Sequence, residues 1–245
     1  MSTKIVPGSL IATPSPADVA REAATRVARA LSEAVRDAGV ATLALSGGST
    51  PKDAYAALAQ QNLDWSHILV FWVDERAVPK EHERSNYRLV HESLLAPAKV
   101  PEANVFAMDG ASQDLEQAAA AYEETLRAQV KRRHEGHPAL DVVVLGIGTD
   151  GHTASLFPGK PEIHERTRLV VSVPADGARE ARLSLAPPAL EHAKHTFVLA
   201  VGKDKHPPLD QAWAVVGTPD TTPARIIRSF KGSVAWIIDR AAGGV

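Results

Sequence analysis

Residues 141–152 read Asp141-Val142-Val143-Val144-Leu145-Gly146-Ile147-Gly148-Thr149-Asp150-Gly151-His152. Four apolar residues run without a polar break into a glycine-rich turn. A strand that is apolar at every position is buried on both faces, as in a parallel sheet covered by helices. The turn then presents an acid, Asp150, and an imidazole, His152, where glycines let the backbone take positive φ and approach a ligand closely. Histidine is the side chain whose charge changes nearest neutral pH. Strand, glycine turn, acid and base together predict a site at a strand end that handles protons.

The same alternation recurs outward from this stretch. Ser15-Pro16-Ala17-Asp18 carries a Ser cap, a Pro in the first turn and an early acid. Val19, Ala23, Val27, Ala30 and Ala34 follow at helical spacing, and Gly39 supplies a stop. Val40 to Leu45 reads as a strand. A second helical pattern contains Ala54, Tyr55 and Leu58. His67 to Val73 is another strand, closed by Asp74-Glu75-Arg76. Asn86 to Leu95 reads as helical, and Leu115, Ala119, Tyr122 and Leu126 mark a longer helix. Leu169–Val173, Phe197–Val201 and Val234–Ile238 are further apolar runs. Apolar strands alternating with helices predict an α/β fold: one Rossmann-like three-layer α/β/α domain over residues 1–245, with a mostly parallel sheet. Ligands of such sheets bind at the carboxyl ends of the strands. Here those ends are Ser46–Pro51, Asp74–Arg76, Gly146–His152 and Gly202–Lys205, which are also the polar, glycine-rich segments.

Bulk properties narrow the function. The chain has 245 residues, 44% of them hydrophobic, enough for a sizeable core. Its 27 basic and 29 acidic residues nearly balance, so neither a general nucleic-acid binder nor a membrane-surface protein is expected. Absence of cysteine removes disulfides, thiolate metal sites and a Cys nucleophile. Met1 to Pro16 lacks a signal-type apolar core, and the protein is expected to be cytoplasmic. No metal is expected: no H-E-x-x-H motif occurs, and His134 and His137, flanking a turn after a helix, are expected in solvent.

Each strand end has its own chemistry. In Ser46-Gly47-Gly48-Ser49-Thr50-Pro51, two glycines, hydroxyls and a helix start make an anion cradle suited to phosphate. The same residues also suit a plain capped turn. Asp74 and Arg76 either point into the cleft or form a solvated strand end. Gly146, Gly148 and Gly151 match G-x-G-x-x-G, so dinucleotide binding is a rival. Pro158-Gly159 leaves little room for the helix that fingerprint needs. Arg182 and Lys205 are ordinary surface cations or the partners of a phosphate, Arg as a fork and Lys as a point charge.

In combination these residues resemble the 6-phosphogluconolactonases. Ser46–Pro51, Trp72-Val73-Asp74-Glu75-Arg76, Ser85-Asn86-Tyr87-Arg88 and Leu145–Gly159 fall in that family's order and spacing. Arg182-Leu183-Ser184-Leu185, Gly202–Lys205 and Trp236-Ile237-Ile238-Asp239-Arg240 extend the likeness over nearly the whole chain. The resemblance implies a fold shared with glucosamine-6-phosphate deaminases. It also implies hydrolysis of 6-phospho-D-glucono-1,5-lactone, the second step of the oxidative pentose phosphate pathway, without a cofactor. The partner is then a small phosphosugar lactone, and the protein a monomer or small homo-oligomer. On this reading His152 is the general base, with Asp150 or Asp74 orienting it. Ser46, Gly47, Gly48, Ser49, Thr50, Arg182 and Lys205 hold the phosphate. Arg76 contacts the sugar or steadies the acid, and the backbone N–H groups of Gly146–Gly151 receive the oxyanion. The deaminases are similar in motif but place a Glu five residues after their His, where this chain has Phe157. A non-catalytic sugar-phosphate-binding regulator is the other alternative. One departure from the lactonase pattern is His206-Pro207-Pro208 after Lys205, expected to shift the next helix start and with it Lys205.

Overall fold

The apolar runs read above form strands. The computed structural model describes residues 4–177 and 179–244; Met1 to Thr3, the start of the N-terminal stretch read above, lie outside the described residues. In chain order the strands are β1 (Ser9–Thr13), β2 (Ala41–Leu45), β3 (Ile68–Trp72), β4 (Asp74–Arg76), β5 (Val105–Phe106), β6 (Arg133–His134), β7 (His137–Pro138), β8 (Val142–Gly146), β9 (Val170–Val173), β10 (Arg182–Leu185), β11 (His195–Ala200) and β12 (Ser233–Asp239). The α-helices are α1 (Pro16–Ala38), α2 (Ser49–Leu58), α3 (Asn86–Val90), α4 (Leu115–Gln129), α5 (Pro187–Glu191), α6 (His206–Trp213) and α7 (Arg240–Gly243).

Seven strands make the central sheet, in the order β1-β12-β11-β8-β2-β3-β5, with every pairing parallel. From β2 the chain winds outward to β3 and β5; from β8 it winds the other way to β11 and β12. The winding reverses between β2 and β8, the position where open α/β sheets form their binding crevice. Trp72, Phe71, Leu43, Leu45 and Trp236 are fully buried in the core.

Helix α1 follows its sequence signals. The Ser15 hydroxyl accepts from the Asp18 N–H, and Gly39, at φ 76°, donates its N–H to the Val35 carbonyl. Val19, Ala23, Val27, Ala30 and Ala34 are all buried.

Two expectations need correction. Asp74–Arg76 is a strand of its own rather than the end of β3, and Leu169–Val173 does not join the central sheet. Strands β4, β10 and β9 form a separate antiparallel sheet in that order. The crossing is made at Val73, whose N–H bonds to Leu45 of the central sheet and whose carbonyl accepts from Leu185 of the small one. Helix α4 and a small apolar cluster of Phe157, Val171, Val173 and Ala186 cover the small sheet. His134 and His137 also differ from expectation. They are partly buried and stack about His192.

Candidate active site

At the carboxyl ends of β2 and β8 lies a cleft of about 320 Å³. Ser46, Gly47, Gly48, Ser49, Thr50, Asp74, Arg76, Gly148, His152, Arg182 and Lys205 all line it. Asp150 stands behind His152 rather than on the wall.

The acid that orients the imidazole is Asp150. Its Oδ1 lies 2.5 Å from His152 Nδ1 and also accepts the His152 backbone N–H. Burial alone would raise the Asp150 carboxyl. Hydrogen bonds from His152 and the Arg179 charge outweigh it and hold the pKa at about 2. The acid is therefore ionised at neutral pH, and Nε2 is the ring nitrogen left for a substrate. His152 is about a third exposed (32%), so it is reachable. Gly148 makes the pose possible: a Cβ there would stand 2.0 Å from His152 Nδ1.

Asp74 has a different task. Its Oδ2 accepts from Ser155 Oγ at 2.6 Å, and the Ser155 N–H donates to Ser184 on β10. These bonds fasten the histidine loop to the small sheet. The loop turns tightly at Ala154, a non-glycine residue with φ 52°. After Gly151 the chain runs in turns, bridged between Thr153 and Leu156, and not in helix.

Cations gather at another part of the cleft. β10 pairs with β4 so that Arg182 stands directly opposite Arg76. Like charges in that relation repel. Glu180 offsets them only at 3.9 and 4.0 Å. Burial, with Arg76 adding to it, lowers the Arg182 pKa, and its Nε has no partner among the described residues. Lys205 ends a 3-10 turn on the same cleft. Pro207 and Pro208 occupy the first turn of α6, where a missing N–H costs nothing. The proline departure is absorbed there, and Lys205 still lines the cleft.

The Ser46–Thr50 cradle is a helix start without a side-chain cap. Gly48 precedes α2 with φ 111°, and no side chain bonds the first-turn N–H groups. Uncapped donors and the helix dipole together favour an anion. Ser46 Oγ is buried and likewise unpartnered among the described residues.

Three contributors escaped the sequence reading. Asn86 lines the cleft, donates Nδ2 to the Asp74 carbonyl, and keeps Oδ1 unpartnered among the described residues. Buried Glu75 places it by accepting the N–H groups of Asn86 and Tyr87. The Glu75 carboxyl is raised by burial, which these donors only partly offset. A Cβ on Gly47 would reach to 1.8 Å from Asn86 Oδ1, which explains that glycine. Arg179 braces the His152–Asp150 pair, bonding Asp150 Oδ2 at 3.0 Å while its guanidinium lies 4.3 Å from the Phe157 ring centre. Phe157 is buried and tilts against His152 at 4.8 Å, so it walls the site. The Ser85-Asn86 segment carried a visible signal in its place within the motif order. Arg179 carried none, because Asp150 and Phe157, which it braces, lie far from it in sequence.

The expectation of an oxyanion site among the N–H groups of Gly146–Gly151 is narrowed. The Gly148 N–H is spent on the His152 carbonyl and the Gly151 N–H on the Gly148 carbonyl, so neither faces a substrate.

Residues 14–236 match the family described as glucosamine-6-phosphate isomerases/6-phosphogluconolactonase. The chain is 40% identical over 215 residues to a 6-phosphogluconolactonase of Synechocystis sp., covering 87% of this chain and 88% of that protein. A 6-phosphogluconolactonase of Rhizobium meliloti is 40% identical over 205 residues, 82% of this chain and 85% of the other. Among solved structures, the Trypanosoma cruzi 6-phosphogluconolactonase superposes with a TM-score of 0.87 at 31% identity, over 99% of this chain and 98% of that one. A monomeric glucosamine-6-phosphate deaminase shares the fold, with a TM-score of 0.78 at 20% identity over 96% and 99% of the two chains.

Proposed function

Because the chain belongs to the glucosamine-6-phosphate isomerase/6-phosphogluconolactonase family, we propose that it hydrolyses 6-phospho-D-glucono-1,5-lactone to 6-phospho-D-gluconate, with His152 as general base. The observation that carries this reading is the pairing of one oriented imidazole with a separate cluster of cations in a single cleft. The lactone carries a phosphate remote from its reacting carbonyl, and the two halves of the cleft suit those two ends.

Arg182, Lys205 and the start of α2 bind the phosphate, and that remote binding energy aligns the ring. Asp150 accepts from Nδ1, so Nε2 takes a proton from water as its oxygen attacks the lactone carbonyl. General base help of this kind is worth ~10²–10⁴-fold. With the Gly148 and Gly151 N–H groups engaged elsewhere, the developing oxyanion draws on the donors left in the cleft, Arg76 foremost. His152 returns its proton to the ring oxygen as the C–O bond breaks. The product is an open carboxylic acid that ionises in solution. No step calls for a metal or a cofactor, and the setting is a cytoplasmic one. Among the described residues no helix is long and apolar enough to cross a membrane.

Phe157 separates this activity from its rival on the same fold. Isomerisation with deamination needs a second proton carrier beside the histidine, and an aromatic ring is none. The deciding experiment follows hydrolysis of freshly made 6-phosphogluconolactone above its spontaneous rate, with EDTA present, beside ammonia release from glucosamine 6-phosphate. Rapid hydrolysis with no ammonia is the expected result. Ammonia release would overturn the assignment, and binding of 6-phosphogluconate without turnover would make the protein a regulator.

A further inference from the structure

A second cluster of chemistry-bearing side chains lies at the other end of β8, outside the cleft. Strands β6 and β7 form a hairpin whose two turn residues, Glu135 and Gly136, have φ of 50° and 84°. His134 and His137 face each other directly across it. Residues so paired project to one face of a hairpin. Both rings therefore meet the same neighbour, His192, just beyond α5. The ring centres of His134 and His137 lie 5.1 and 4.9 Å from that of His192.

We propose that His134, Glu135 and His192 form a binding site for a divalent transition-metal ion, with zinc the natural probe. His134 Nδ1 and His192 Nδ1 stand 3.0 Å apart, and a Glu135 carboxylate oxygen completes a set lying within 4.8 Å. Ligands of a tetrahedral zinc with bonds of 2.0–2.1 Å sit roughly 3.3 Å from one another. The two nitrogens need to part by only about 0.3 Å to meet that spacing. Glu135 is exposed on the turn and closes its gap by a side-chain rotation. Imidazole nitrogen with carboxylate oxygen is a donor set for zinc, nickel or copper rather than magnesium.

Two further features favour a ligand role for His192. It is only 5% exposed, so its ring is held in place by its surroundings. Its other nitrogen, Nε2, lies 3.7 Å from the Glu191 carboxylate. An acid beside the second nitrogen is the usual means of aiming a metal-bound imidazole. His137 stacks on the outer side of His192, with ring planes 6° apart, and holds it against rotation. The ion would clasp the hairpin to α5 and stabilise the fold without entering the reaction.

The test titrates the full, tag-free chain with zinc chloride by calorimetry and repeats the titration with cobalt by visible absorption. One saturable equivalent is expected, with a Kd on the order of 10 µM or tighter. Cobalt should give ligand-field bands that zinc abolishes, and zinc should raise the Tm. His134→Gln should weaken binding about tenfold or more, the scale on which losing a metal partner acts. Glu135→Gln should weaken it less. His164→Gln, in an exposed His–Asp pair elsewhere, should leave it unchanged. His134→Gln alters only a partly buried residue, so it keeps the test valid if the buried His192→Asn variant fails to fold. No saturable binding, or binding unchanged in His134→Gln, means the two rings share an ordinary N–H···N hydrogen bond and overturns the proposal. Lactone turnover is not read, so this result and the proposed activity stand or fall separately.

Discussion

Strands β2 and β8 lie side by side, and their two ends treat polar groups in opposite ways. At the amino end, Asp141 Oδ2 accepts both the N–H and the hydroxyl of Thr42, and the Asp141 N–H donates back to the Thr42 hydroxyl. Every bond is 2.8 or 2.9 Å, and both residues are buried. At the carboxyl end, Ser46 Oγ is buried without a partner among the described residues, as are Asn86 Oδ1 and Arg182 Nε on the facing walls. A buried polar group left unpaired costs about 1–3 kcal/mol. One end is closed and supports the fold. The other carries unmet donors and acceptors that a sugar phosphate can satisfy. The same two strands therefore serve stability at one end and chemistry at the other.

The sharpest way to break this division is at His152. His152→Asn should lower kcat at least ~10²-fold, the lower bound for a lost general base. Its Tm and its affinity for 6-phosphogluconate should stay near wild type. Near-normal turnover in a folded variant would remove the mechanism. At the closed end the effects should exchange. Asp141→Ala strands the Thr42 N–H and should cost about 2–3 kcal/mol, a Tm drop of roughly 4–12 °C for a chain of this size. Turnover per folded molecule should be unchanged. A large kcat loss there would mean that the two ends are coupled.

Smaller effects sharpen the picture within the open end. Arg182→Ala and Lys205→Ala should each raise KM for the phosphorylated lactone about tenfold, as expected for one charged hydrogen bond. Hydrolysis of plain gluconolactone should hardly change, and equal losses on both substrates would show that these cations do not read phosphate. The smallest effect concerns acid. The Asp150 pKa falls from its usual 3.8 to about 2 on folding. The stability it adds is fully present above about pH 4 and drains away as pH falls through 2. The difference in unfolding free energy between wild type and Asp150→Asn should therefore be flat from pH 7 to about 4 and shrink below that. A change already complete at pH 5 would contradict the assignment.

Most of the open end was legible because the signals there are local. A glycine turn after an apolar run, a glycine-serine helix start and an acid just past an apolar run each occupy a few adjacent residues. Gly148 and Asp150 lie within four residues of His152, so their joint role follows from the backbone turn. What escaped depends on pairing across long separations. The β4–β10 register that opposes Arg76 to Arg182 joins segments with no shared local pattern. The same holds for Arg179, whose bond to Asp150 spans 29 positions, and for His134 and His192, 58 apart. The glycine N–H groups misled for another reason. Their loop is tight enough to satisfy itself, which composition does not reveal. Strand β1 was missed because most of it is exposed on the edge of the sheet, so its apolar pattern is weak.

That edge strand has a consequence for how the protein is made. Among the described residues Ser9 to Thr13 pairs only with β12, Ser9 opposite Ala235 and Thr13 opposite Asp239. The Thr13 hydroxyl bonds the Ile238 carbonyl across 225 positions. A ribosome adding about 5–20 residues per second needs roughly 10–45 s to travel that distance. β1, made ahead of the other six strands of its sheet, is thus the last of them to be paired, while β2, β3 and β5 can assemble on the emerging chain long before. A chain halted ahead of Ser233 has no place to seat β1, so translation must pass Asp239 before this sheet is sealed.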